Sequence, residues 1–109
     1  MAYEDRYKEF EQYLTSGEPG VEERARNWSM AIGLQDVDRL KPSEFLLEQA
    51  KANIEGRISS EDVGKRLEEY YSQKDVREQA EADGTFEADR VADRINLLLA
   101  EKAFTFSPM

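Results

Sequence analysis

Most of the side chains of this sequence that are able to do acid and base chemistry are carboxylates. Neighbouring pairs such as Glu22-Glu23, Glu61-Asp62 and Glu68-Glu69 have the residue types of a general acid and base. Adjacent residues on a helix do not face each other, so such a pair does not converge on one substrate atom. Because 24 of the 109 residues are Asp or Glu, pairs also arise from density alone. We interpret them as solvated helix surface.

The residues that most enzymes use are missing from the sequence. It contains no Cys and no His, which excludes disulfides, thiolate metal sites, Cys nucleophiles and the commonest general base. Neither Gly-x-Gly-x-x-Gly nor the P-loop pattern occurs. We therefore expect no catalytic activity, no cofactor and no metal. A metal-dependent hydrolase that uses carboxylates alone is the remote alternative, because helical carboxylate sites usually include His ligands.

The charge balance narrows the choice of partner. The sequence has 15 Lys and Arg and a net charge of -9. Its basic residues form only small pairs, Arg24 with Arg26 and Lys65 with Arg66, whereas phosphate binding needs clustered cations. No run approaches the roughly 20 apolar residues of a membrane span, and the N-terminus lacks a signal peptide pattern. We expect a soluble, cytoplasmic protein that binds neither nucleic acid nor membrane.

The hydrophobic periodicity predicts an all-α module of four to five short helices. Apolar residues recur at spacings of three and four, and no stretch alternates with the period of a strand. Residues 3–14 predict a first helix and residues 15–20, rich in Gly and Pro, predict a linker. A second helix is predicted from Val21 to Ile32 or Leu34, with Trp28 packing inward and Gly33 near its C-terminal end.

Three further segments complete the predicted order. Lys41-Pro42-Ser43-Glu44 is typical of a helix start and predicts a third helix to Glu55, followed by Gly56 as its cap. Ser59 and Ser60 supply N-cap hydroxyls for a fourth helix to Tyr71. Residues 72–83 are almost wholly polar, which favours either a solvated helix continuation or a mobile linker. Thr85 is the expected N-cap of a fifth helix that ends near Ala103.

The C-terminal residues have an unusual composition. Phe104 and Phe106 would leave an exposed apolar patch in a complete protein, and such patches usually contact something. The final Ser107-Pro108 pair ordinarily opens another helix. We expect the chain to be cut before a further domain.

Several short segments, taken in order, resemble a known family. Residues 25–35 read Ala-Arg-Asn-Trp-Ser-Met-Ala-Ile-Gly-Leu-Gln, residues 40–43 read Leu-Lys-Pro-Ser, and residues 54–63 read Ile-Glu-Gly-Arg-Ile-Ser-Ser-Glu-Asp-Val. Over residues 21–72 this pattern resembles the VbhA-type antitoxin module that accompanies Fic-domain adenylyltransferases. The tail from residue 87 to residue 109 resembles the lead-in to a Fic catalytic domain.

The resemblance implies an inhibitory helix that packs on the Fic core beside its nucleotide site. The family's Ser/Thr-x-x-x-Glu-Gly/Asn motif directs its Glu to an Arg of the Fic active-site loop, a charge-assisted pair that explains the requirement for Glu. Here Ser29 matches the Ser/Thr, whereas Gly33 and Leu34 stand at the Glu and Gly/Asn positions. The segment expected to face the Fic domain comprises Trp28, Ser29, Ile32, Gly33 and Leu34.

A second register of the same motif is also open. It places the Glu-Gly pair at Glu55-Gly56, with Lys51 instead of the Ser/Thr. An inhibitory carboxylate supplied from elsewhere would come from Asp36 or Asp38, the nearest candidates. The family's catalytic motif, His-x-Phe-x-Asp/Glu-Gly-Asn-Gly-Arg, requires a His that this sequence lacks, so the chain is not the transferase.

The sequence thus predicts a noncatalytic regulatory module of a Fic adenylyltransferase system. We expect an N-terminal helix and linker at 1–20, the VbhA-like module at 21–72, and a polar linker with a lead-in helix at 73–109. Phe104 and Phe106 would contact or lead into the catalytic domain. The alternative is a generic acidic helical interaction module with no Fic partner.

Overall fold

Five α-helices make up most of the described chain. The computed structural model describes residues 10–37 and 41–105, with side chains described for residues 10–33 and 41–101. Within these residues there is no strand, and a short 3-10 turn precedes the helices. The bounds are Gln12–Thr15 for the turn, then α1 Pro19–Val37, α2 Glu44–Ile54, α3 Ser60–Tyr71, α4 Lys74–Asp83 and α5 Thr85–Thr105. The predicted all-α fold class is confirmed.

The connection before α1 is shorter than the predicted linker. Gly17 turns the chain with φ +89°, a left-handed conformation that L side chains rarely adopt. The helix begins two residues later at Pro19, because proline's fixed φ and missing N–H suit the first helical position. Glu22 accepts a 2.9 Å hydrogen bond from the Gly17 backbone N–H, which holds the turn against the helix. Most of the predicted first helix, residues 3–9, lies outside the described residues.

Helix α1 continues past the glycine that was expected to end it. Gly33 lies inside the helix, which extends to Val37. A single interior glycine costs about 1 kcal/mol relative to alanine. The contact between α1 and α5 is more extensive than that between any other two described helices. Tertiary packing therefore outweighs the local preference of Gly33.

The predicted starts of α2 and α3 are confirmed. Ser43 is the N-cap of α2 and its side chain accepts a 3.1 Å hydrogen bond from the Leu46 N–H. Ser59 and Asp62 form a reciprocal capping box at the start of α3. These caps satisfy backbone donors that a helix start otherwise leaves without partners.

The polar stretch 72–83 forms a helix of its own. Helix α4 presents one buried residue, Ala80, to the core, with Val76 partly buried beside it. Gly84, at φ +83°, ends α4 in the left-handed conformation. Thr85 is the first residue of α5 rather than its cap, and its hydroxyl donates to the Ala80 carbonyl over 3.4 Å.

One hydrophobic core runs through all five helices. Its largest apolar members are Phe10, Trp28, Ile32, Leu46, Leu47, Ile54 and Val63. Tyr71, Ala80 and Ala92 belong to the same cluster. The divisions expected after residues 20 and 72 therefore separate stretches of sequence that share one core.

Candidate functional site

The side of α1 that was expected to contact a partner lies partly in this chain's own core. Trp28 is fully buried and its indole Nε1–H donates a 2.8 Å hydrogen bond to Asn53 Oδ1. Ile32, one turn further, is 1% exposed. The helical pattern predicts that both side chains pack inward, whereas the resemblance assigns them to the segment that faces a Fic domain. The structure places both in this chain's own core.

The opposite side of α1 forms an exposed surface. Arg26, Met30 and Gly33 follow each other at spacings of four and three and so lie on one helix face, which we call the α1 outer face. Met30 is 54% exposed, and Arg26 is also exposed. Ser29 is half-buried at the edge of this face. The side chains of Leu34 and Asp36 and the whole of Asp38 lie outside the described residues.

The α1 outer face has the composition of a protein contact surface. Met30 is flexible and polarizable, and it adapts to irregular apolar partners. The guanidinium of Arg26 is able to form two parallel hydrogen bonds to a carboxylate or phosphate. Gly33 has no side chain, which allows another backbone to approach the helix closely.

The second register places its carboxylate in an intramolecular cluster. Glu55 accepts hydrogen bonds from the Tyr13 hydroxyl at 2.5 Å and from Arg57 Nε and Nη2 at 2.9 and 2.6 Å. The Tyr13 bond, followed by the Arg57 bond, lowers the pKa of Glu55 below its ordinary value. A partner arginine would have to compete with these bonds. Lys51, one turn earlier, is half-buried on α2.

The Glu-Gly pair also has a structural role at the end of α2. Arg24 of α1 donates from Nε and Nη2 to the Ile54 carbonyl at 3.1 and 3.0 Å, which satisfies a C-terminal helix acceptor. Gly56 follows with φ +83°, and an added Cβ would lie 3.4 Å from Arg24 Nη2. The sequence shows Arg24 only as half of a small basic pair and does not predict this bond, since nothing local to Arg24 identifies an acceptor thirty residues away.

A buried carboxylate joins three elements on the other side of the core. Asp89 of α5 is fully buried and accepts from the Ser43 N–H at 2.8 Å, from the Ser43 hydroxyl at 2.6 Å and from the Tyr71 hydroxyl. Burial raises the pKa of Asp89, and the bonds from Ser43 and Tyr71 oppose this effect. Burial and the same carboxylate raise the pKa of Tyr71. The only sequence signal was an Asp in the apolar stripe of α5, between Phe86 and Ala92.

A groove of about 930 Å³ lies between α3, α4 and α5. We call it the α3/α5 groove, and its floor comprises Gly64, Leu67, Tyr71, Phe86, Asp93 and Leu97. Leu98 at its margin is 56% exposed. Asp93 Oδ1 is buried with no hydrogen-bond partner among the described residues. Burial, followed by the negative charge of Glu68, raises the pKa of Asp93 to about 6.

The ionised form of Asp93 should lower stability at neutral pH. Its folded pKa lies above the unfolded value of about 3.9, so the folded state binds the proton more tightly. The penalty is therefore full above pH 6, decreases as pH falls below 6 and is absent below about pH 3.9. We expect Asp93→Asn to raise the free energy of unfolding at pH 7.5, because asparagine has no charge to bury. The gain should be only about 1 kcal/mol, since solvent screens this partly buried group. Urea unfolding should show the gain decreasing below pH 6 and vanishing below about pH 4. Glu69→Gln, which removes a negative charge from an exposed position of α3, is the control. An equal gain in stability for that variant would show that the effect is not specific to Asp93.

Several remaining expectations meet the structure only in part. Phe104 lies in the last turn of α5, but its side chain and the whole of Phe106 lie outside the described residues. No group of three or more carboxylates converges at a metal-ligating distance within the described residues. None of the helices in that part of the chain has the length and apolar content of a membrane span.

Comparison with protein-family models, with curated proteins and with solved structures finds no match for this chain. The fold and site therefore define the class to which it can be assigned, a small all-α module with an exposed helix face and an open interhelical groove.

Proposed function

We propose that this chain is a noncatalytic, antitoxin-like module that packs on a Fic adenylyltransferase domain in the cytoplasm and modulates protein AMPylation. The observation that carries the proposal is the exposure of Met30 in the middle of α1, the helix that corresponds to the inhibitory helix in the resemblance. Met30 shares the α1 outer face with Arg26, and methionine and arginine are both enriched in protein interfaces. The chain binds the Fic domain and does not itself transfer adenylate.

The geometry of α1 changes which residues would make that contact. Because Trp28 and Ile32 stabilise the module from inside, docking would use the α1 outer face. Gly33, which stands at the position of the inhibitory Glu, belongs to this face. The first register is therefore compatible with docking, and the module would bind without the family's usual carboxylate.

The test is adenylyl transfer by a Fic domain from ATP labelled at the α-phosphate, with and without the full chain added in trans. We expect binding and a reduced rate, and we expect Met30→Arg to weaken binding on the order of tenfold or more. Val91→Arg, a charge introduced at an exposed apolar position of α5, is the matched control. Absence of both binding and rate change would exclude the proposal.

Gly33→Glu should strengthen inhibition in the same assay. The new carboxylate would stand at the family's Glu position and pair with the Fic arginine through a charge-assisted bond. Glu also favours a helix interior over Gly by roughly 0.5 kcal/mol or more, so the variant should fold. Gly33→Gln has the same shape without the charge and should suppress transfer less. Equal activity of the three proteins would count against this register and direct attention to Asp36 or Asp38.

A generic acidic helical interaction module is the second candidate, and the net charge of -9 favours it. The genomic neighbourhood distinguishes the two functions. A reading frame that continues past residue 109, or a neighbouring gene with the Fic catalytic motif, would support the regulatory module.

A further inference from the structure

We infer that the α3/α5 groove binds an amphipathic helix of a partner protein that places one Lys or Arg side chain against Asp93. Helices α3, α4 and α5, with Ser72 between the first two, line the groove. It is thus a different surface from the α1 outer face. The inference goes beyond the proposed regulatory function and does not depend on it.

The shape of the groove suits a helix. Its lining along α5 extends from Phe86 to Glu101, a distance of about 22 Å at the helical rise per residue. Apart from Asp93, the floor is largely apolar, and Leu98 exposes more than half of its surface at the margin. A helix that lays an apolar face into a groove between two others is a common mode of peptide recognition.

The charge that this helix should present follows from Asp93. An added Cβ on Gly64 of α3 would lie 3.4 Å from Asp93 Oδ2, so the carboxylate packs directly against α3. Its Oδ1 atom is buried with no hydrogen-bond partner among the described residues, and a buried carboxylate oxygen without a partner is costly. Glu68 beside it adds negative potential. A basic side chain from a partner would neutralise the carboxylate and supply the missing donor.

The basic side chains that line the groove do not donate a hydrogen bond to Asp93 Oδ1. Lys65, Arg77, Arg90 and Arg94 line it but are exposed. Arg90 lies over the Phe86 ring, with its guanidinium carbon 5.5 Å from the ring centroid. These side chains form a solvated margin that suits acidic residues on either side of the partner's basic residue. The chain's net charge of -9 further favours a basic partner.

The test is selection of helical peptides from a display library against the full chain. The library keeps Leu on one helix face and randomises the other positions. We expect enrichment of Lys or Arg at one position adjoining the Leu face, and cross-links from selected peptides to α3 and α5. Enrichment of acidic residues at that adjoining position, or failure to select any peptide, would overturn the inference.

Two variants test whether peptide binding depends on the carboxylate of Asp93. Asp93→Asn should stay folded and should weaken binding of the selected peptides at least tenfold, whereas Glu69→Gln should change it less than twofold. If both variants weakened binding equally, the effect would come from the change in net charge alone, and the inference would be overturned. Sedimentation equilibrium of the chain alone gives the remaining outcome, because a dimer abolished by Leu98→Ser would assign the groove to a second copy. The adenylyl-transfer assay is separate, so each proposal can fail alone.

Discussion

Trp28→Ala is expected to lower the free energy of unfolding by about 3 to 5 kcal/mol. Trp28 is fully buried at the centre of the core, and its truncation removes a large apolar surface and leaves a cavity. Small domains have only about 5 to 15 kcal/mol of stability, so this variant should be close to unfolded. Urea denaturation followed by far-ultraviolet circular dichroism measures the change, since the variant has no other Trp to report by fluorescence.

Trp28→Phe distinguishes the contribution of the indole hydrogen bond to stability from that of the buried side-chain volume. This variant keeps an aromatic ring but removes the Nε1–H that donates to Asn53 Oδ1, leaving a buried acceptor without that donor. We expect a loss of about 1 to 3 kcal/mol. A loss below about 1 kcal/mol for Trp28→Ala would contradict its place in the core and return Trp28 to the partner surface implied by the resemblance.

Asp89→Ala is expected to cost roughly 3 kcal/mol at neutral pH, because it leaves buried donors without an acceptor. Removal of the carboxylate leaves the Ser43 N–H, the Ser43 hydroxyl and the Tyr71 hydroxyl without their acceptor at the junction of α2, α3 and α5. Tyr71→Phe removes only one of these donors and should cost about 1 kcal/mol through the lost hydrogen bond. If Asp89→Ala proved as stable as the wild type, Asp89 would not hold this junction.

The cost of Asp89→Ala should also depend on pH. Because burial raises the pKa of Asp89, the folded state binds its proton more tightly than the unfolded state. The wild type therefore gains stability from this group as pH falls through the folded pKa, and the variant lacks that gain. We expect the difference between the two proteins to increase on acidification. Urea unfolding at a series of pH values measures how the free energy of unfolding of each protein depends on pH. Both proteins should also carry Asp93→Asn, so that the titration of Asp93 does not contribute to the difference.

Local signals in the sequence account for most helix boundaries. Ser43 and Ser59 define the starts of α2 and α3 because an N-cap hydroxyl acts on backbone N–H groups within three residues. Helix α4 was left open between helix and linker, since a helix that buries mainly one alanine has no clear apolar stripe. Gly33 was misplaced at a helix end because glycine is common there, whereas α1, which packs against α5, continues to Val37.

The sequence by itself determined the all-α class, the order of the helices and the exclusion of His and Cys chemistry, because propensity, capping and composition act over a few residues. Only the tertiary structure decided that Trp28 and Ile32 pack within this chain rather than against a partner, and that Met30 faces outward. It alone also brought Asp89 to Ser43 and Tyr71 and left Asp93 without a donor. These outcomes depend on groups that lie far apart in the chain, and the burial that sets the pKa of each carboxylate exists only when the helices are packed.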